Sequence, residues 1–205
     1  QKASEVNIFE CFQKIRCELD PEIKVTIFQY YGDSILHNYQ IHDLDIDKLI
    51  GYVSSDEKII SGAAMWLIWN IMNDTQSINR GLIQQFYNHE FFILIKSIIS
   101  LNEFIANVKL ALLILCILIE NANTDQIFQF ITDDFINIIF ENDYIESDDQ
   151  DIVFHIIIAL NRLLNHFRSI GRNEFLNFLQ SQLNGITPCE ISEERFQILA
   201  KNCSE

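Results

Sequence analysis

GAAMWLIWNIM, residues Gly62–Met72, is the stretch from which the fold of this chain is read. It is eleven residues long, almost wholly apolar and free of proline, which is too long for an ordinary buried strand and suits a buried helix. Similar apolar segments recur on both sides: PEIKVTIFQYYGDSI (Pro21–Ile35), NVKLALLILCILI (Asn107–Ile119), DIVFHIIIALNRLL (Asp151–Leu164) and ISEERFQILAKN (Ile191–Asn202). With Trp66 as reference, the equivalent positions are Gln29, Leu113, Ile158 and Ile198. Their mean spacing is about 42 residues, the scale of stacked helical repeats. A chain built this way offers a long surface to a partner.

Composition agrees with long helices. Two prolines and six glycines in 205 residues leave few turn formers, whereas a sheet-rich fold needs many. Five cysteines (Cys11, Cys17, Cys116, Cys189 and Cys203) are an odd number without zinc-site spacing. They read as free thiols in a reducing compartment, so the expected location is intracellular, cytoplasm or nucleus. The longest apolar run, Leu110–Ile119, covers about 15 Å as a helix, half the ~30 Å of a bilayer core. It therefore reads as a core helix, and no membrane partner is expected. A net charge of −15 opposes a phosphate backbone and an anionic membrane, and it favours a basic partner. It also serves simply to keep a solenoid soluble.

The pattern predicts helices over Val6–Leu19, Pro21–Leu36, Asp45–Tyr52, Glu57–Met72, Ile78–Phe86, Phe91–Ser100, Glu103–Glu120, Gln126–Thr132, Asp134–Glu141, Ile152–Phe167, Asn173–Leu183 and Ser192–Asn202. Asp20 and Pro21 suit a helix start. Ser55 or Asp56, Thr124 or Asp125, and Asp133 are expected caps. A full period reads as a short helix, a medium helix, a tight polar turn and a long helix, best seen over Asp74–Glu120.

On these residues a resemblance emerges. LIGYVSSDEKIISGAAMWLIWNI (Leu49–Ile71) resembles the second and third helices of an armadillo repeat, and AMWLIWNI (Ala64–Ile71) is similar to a segment type found in importin-alpha. In pattern the resemblance covers most of Leu19–Asn202; in residues it is strong in one repeat alone. It implies an all-α, right-handed armadillo-like solenoid of about four to five degenerate repeats, forming one domain over residues 1–205. The third helices would line a concave groove. No basic arm of the kind that binds importin-beta precedes the repeats. The sequence reads either as a segment of a longer chain or as a chain without that arm.

The candidate site is Trp66, Asn70 and Asn73, which share one helix face. Ile60, Ala64, Leu67, Ile68 and Ile71 form the opposite, core-facing stripe. In importin-alpha the matching Trp and Asn line the peptide groove. A Trp face holds a cation or a lysine stem, and an Asn amide pairs with an extended backbone. In the other repeats the pair becomes Gln29/Asp33, Leu113/Ile117, Ile158/Arg162 and Ile198/Asn202, so one pair alone is intact, Arg162 repels a basic peptide, and the groove turns apolar at Leu113 and Ile117. The plainer reading of Trp66 is a side chain packed partly into the core beside a solvated Asn.

No cofactor or metal is expected. His42, Asp43, Asp45 and Asp47 alternate with apolar residues as a capped helix start does. Asp133/Asp134 and Asp148/Asp149 lack a nucleophile or a phosphate loop nearby. His155 reads as a satisfied core histidine. The expectation is a non-catalytic adaptor that binds a protein or an extended basic peptide, without direct contact to nucleic acid. The alternative is a scaffold subunit packed against partner helices.

Overall fold

The computed structural model describes residues 20–36, 44–73, 80–101, 103–130, 134–142, 144, 147–172, 177–178 and 181. The helix expected over Val6–Leu19, the loop at His37–His42, the cap at Asp133, the turn at Gly185–Cys189, the last helix and most of Asn173–Leu183 lie outside them. So do His42, Asp43 and every cysteine except Cys116. The described residues are helical, with no strand among them. By their contacts they form two compact units, divided between Phe86 and Tyr87.

In the first unit, α1 spans Pro21–Leu36. Pro21 occupies the first helical position, and the Asp20 carboxylate accepts a hydrogen bond from the Glu22 amide at 3.0 Å. Ile27, Phe28, Tyr31 and Ile35 recur at helical spacing and are buried. α2 (Ile46–Val53) starts on Asp45, whose carboxylate accepts from the Lys48 amide at 3.0 Å and so meets one of the orphan donors of the first turn. It buries Ile46, Leu49 and Val53 along one stripe. The turn at Ser54–Glu57 leads into α3 (Lys58–Asn73), with Ser55 Oγ accepting from the Glu57 amide. Ser61 then donates its buried hydroxyl to the Val53 carbonyl at 2.8 Å, locking the end of α2 to α3. α3 packs against α1, α2 and the short α4 (Arg80–Ile83), which tightens into a 3-10 turn over Gln84–Phe86. Of the continuous helix expected over Ile78–Phe86, residues 78 and 79 lie outside the described residues, and the described part ends in a tighter turn with Phe86 buried at its end.

In the second unit, α5 (His89–Leu101) and α9 (Gln150–Ser169) pack on α6 (Ile105–Asn121). α7 (Thr124–Phe130) and α8 (Asp134–Glu141) lie between α6 and α9 in sequence. α6 is buried almost all round: Ala111, Leu112 and Ile114 to Ile119 are inaccessible or nearly so. That agrees with a helix apolar on every side, which must be covered on every side. Cys116 is a free, buried thiol, and burial pushes its pKa up, so it is an inert packing residue.

Two polar contacts show that α6 and α9 run parallel. Lys109, near the start of α6, pairs at 2.9 Å with Asp149, the N-cap of α9. Beyond the other end of α6, Arg162 donates to the Ala122 carbonyl at 3.1 Å. Parallel neighbours need a return path, and α7 and α8 occupy the chain between them. The cap of α7 is Asn123, not Thr124 or Asp125. Asn123 and Gln126 exchange side-chain to backbone hydrogen bonds, both 2.9 Å, in a reciprocal capping box. α9 ends at Gly171, whose φ of +71° suits glycine. The Arg172 amide reaches the Phe167 carbonyl and the Gly171 amide reaches that of Arg168, a Schellman closure.

Two titrations follow from this unit. Burial, and then the charge of Arg162, hold the His166 pKa below the usual 6.5. The unfolded chain therefore takes up a proton that the folded chain still refuses as pH falls through about 6.5. Stability should decline there, and His166→Gln should flatten urea-unfolding midpoints between pH 7 and 5. A slope unchanged by the substitution would contradict the assignment. Asp149 works at lower pH: the hydrogen bond from Lys109 holds its carboxyl below 3.8, so its contribution is present above that value and lost as pH falls through the lowered one.

Candidate functional site

α3 carries one accessible stripe on an otherwise buried helix. Ile60, Ser61, Ala64, Met65, Leu67, Ile68, Ile71 and Met72 are buried, including the whole stripe expected to face the core. Ile59, Gly62, Ala63, Trp66, Trp69 and Asn73 are exposed or half-exposed. Their spacing of three and four residues puts them on one arc of the helix. Ile59 is 70% exposed. Lys58, exposed at the first position of α3 and four residues before Gly62, stands at the edge of this arc as its one charged side chain.

The structure places the three sequence-derived site residues differently from one another. Trp66 is half-buried. Its six-membered ring lies against α1 at Gly32, so closely that a Cβ there would stand 2.0 Å from Trp66 Cζ3. One part of the ring therefore serves packing between α1 and α3, and the rest remains open. Asn70 lies in the same arc, yet it is only 3% exposed. Its amide nitrogen donates to the Trp66 carbonyl one turn back, at 2.8 Å. A buried amide must find partners inside the protein, and this donor is committed to its own helix. Asn73, at the C-terminal end of α3, is exposed.

Trp69 was not singled out in the sequence, where it reads as one apolar residue among many. It is half-exposed, and its indole Nε1 is buried without a hydrogen-bond partner. Its position three after Trp66 and four before Asn73 was the available signal.

In the second unit, the residues matched to Trp66 and Asn70 form a different surface. Leu113 and Ile158 are half-buried, Ile117 is buried, and Arg162 is exposed while holding the Ala122 carbonyl. The apolar groove expected at Leu113 and Ile117 thus reduces to Leu113 on α6. His155 is half-buried, with Nδ1 3.1 Å from Glu120 Oε1, linking α9 to α6. The Tyr87 hydroxyl donates to the Leu118 carbonyl at 2.8 Å, and the Asn121 amide to that of Ile117. With Arg162, these groups satisfy the carbonyls that a helix C-terminus leaves open. His155 with Glu120 and Arg162 with Ala122 hold α6 and α9 together, Tyr87 ties the segment before α5 to α6, and Asn121 closes its own helix. Leu101, Phe104 and Ile105, around the turn between α5 and α6, are exposed apolar residues.

Asp45, taken from the acidic cluster near His42, caps α2. Among the described residues no group of three or more His, Cys, Asp or Glu side chains could hold a metal ion, and no helix is long and apolar enough to cross a membrane. No protein-family model matches the chain, and no curated protein matches it in sequence.

Proposed function

We propose that this chain is a non-catalytic, armadillo-like protein-binding module, and that the accessible stripe of α3 receives an extended basic segment of a partner protein. The observation that carries the reading is the stripe itself. Two tryptophans, an exposed isoleucine and a terminal asparagine stand together on one arc of a helix whose other face is packed, with Lys58 at the edge of the arc. Tryptophan is among the residues most enriched where binding energy concentrates. The chain's charge of −15 would attract a cationic segment and speed its encounter. The parallel course of α6 and α9, with two short helices between them, is compatible with a stacked-repeat architecture of armadillo type. On this reading the protein acts inside the cell, in cytoplasm or nucleus.

Calorimetric titration with a short lysine- and arginine-rich peptide tests the proposal. Binding should be weak, roughly micromolar, because anchors are few, and it should weaken as salt rises. Trp66→Ala should remove most of it, an effect of about 2 kcal/mol or more for an aromatic anchor. Because Trp66 also packs on Gly32, Ile59→Ser serves as a second variant. Ile59 is 70% exposed, so its loss should weaken the peptide without lowering the unfolding midpoint. Equal affinity in wild type and both variants would reduce the attraction to diffuse charge and end this reading.

A second reading, a scaffold subunit packed on partner helices, rests on Leu101, Phe104 and Ile105. Three exposed large apolar side chains around one turn form the kind of patch a partner covers.

A further inference from the structure

The main-chain contact of a bound peptide would ordinarily be sought at the Asn70 amide, but that group is buried and its N–H donates to the Trp66 carbonyl. The donor left unmet on the same arc is the indole N–H of Trp69. We infer that Trp69 is the specificity residue of the α3 stripe, donating its indole N–H to a main-chain carbonyl of an extended basic peptide. This rests on the function proposed above and adds the residue that reads the peptide backbone.

Three observations argue for it. First, a buried N–H without an acceptor carries a free-energy penalty, which an incoming acceptor relieves. Secondly, the stripe has no side-chain carboxylate to offer as an acceptor: its members are Lys58, Ile59, Gly62, Ala63, Trp66, Trp69 and Asn73. Thirdly, charge selects among possible ligands. A carboxylate or phosphate acceptor would approach a chain of net charge −15, whereas a peptide carbonyl is neutral and its lysine or arginine neighbours are attracted. The Trp69 nitrogen is covered while its ring is half-exposed, so donation to a peptide requires the side chain to turn.

The test uses the fact that Trp66 and Trp69 are the only tryptophans of the chain. A nitrogen-15 correlation spectrum therefore holds two indole N–H signals, assigned by their disappearance in Trp66→Phe and Trp69→Phe. On titration with a lysine/arginine-rich peptide blocked at both ends, the Trp69 indole proton should move downfield, as an N–H does on gaining an acceptor. Trp69→Phe keeps an aromatic ring and deletes the donor, and it should weaken binding by about three- to ten-fold. If the peptide binds, yet Trp69→Phe matches wild type in affinity and only the Trp66 signal moves, the inference is overturned and the basic-peptide site stands. If wild type shows no binding at all, both fall. Should Trp69→Phe lose its helical circular dichroism, the wild-type indole shift decides alone.

Discussion

Leu112→Asp should unfold the second unit or leave it barely stable. Leu112 is fully buried in the middle of α6, with Ala111 and Leu115 equally inaccessible beside it. Substitution removes a packed aliphatic side chain, a loss of about 2–5 kcal/mol when such a side chain is truncated in a core. It also places a carboxylate where nothing apolar around it can solvate the charge, and the group must shift its pKa or open the packing. The combined effect should exceed about 3 kcal/mol, a large part of the 5–15 kcal/mol that holds a typical domain. Urea denaturation followed by circular dichroism measures it. A variant with wild-type midpoint would mean that α6 is not the centre of its unit.

Gly32→Val should destabilise the first unit by about 2–3 kcal/mol, and Trp66→Ala should relieve the effect. A side chain at Gly32 meets the Trp66 ring at 2.0 to 2.9 Å from its first carbon, well inside contact distance. Replacing glycine within a helix normally stabilises, by up to about 1 kcal/mol for alanine and less for valine. Overpacking a filled contact costs about 1–3 kcal/mol, and here the ring would have to leave its place, so the steric cost prevails. In a Trp66→Ala background the valine would occupy space vacated by the ring. The two changes should then depart from additivity by about 1 kcal/mol or more in the direction of rescue. Additive effects would show that the ring moves aside at little cost, leaving Trp66 free of α1.

Trp66 therefore has two tasks in the proposed reading, and this separates what was legible in the sequence from what was not. The positions of α1, α2 and α3 follow from local chemistry: Asp20 and Pro21 start one helix, Asp45 the next, and the Ser54–Glu57 turn separates the last two. The apolar spacing of Leu110–Ile119 was enough to mark the buried helix of the second unit. Such features are legible because capping and helical periodicity act over three or four neighbouring residues. The start of α7 shows the limit even there. Thr124, Asp125 and Asn123 all suit an N-cap, and the reciprocal bonds of Asn123 with Gln126 decide among them.

By itself, the sequence determined that the described chain is helical, where most of its helices run, and which face of α3 enters the core, because each depends on residues one or two turns apart. The tertiary structure decided the rest. It laid Gly32 of α1 against the Trp66 ring, buried Asn70 so that its amide turned back to its own helix, and left Trp69 with an unmet N–H on an open arc. It also joined Glu120 to His155 and Ala122 to Arg162 across parallel helices. These contacts join residues four to forty positions apart. Spacing along a chain says which side chains share a face, but what covers that face depends on how neighbouring helices pack, and burial then dictates which polar groups must find partners within the protein.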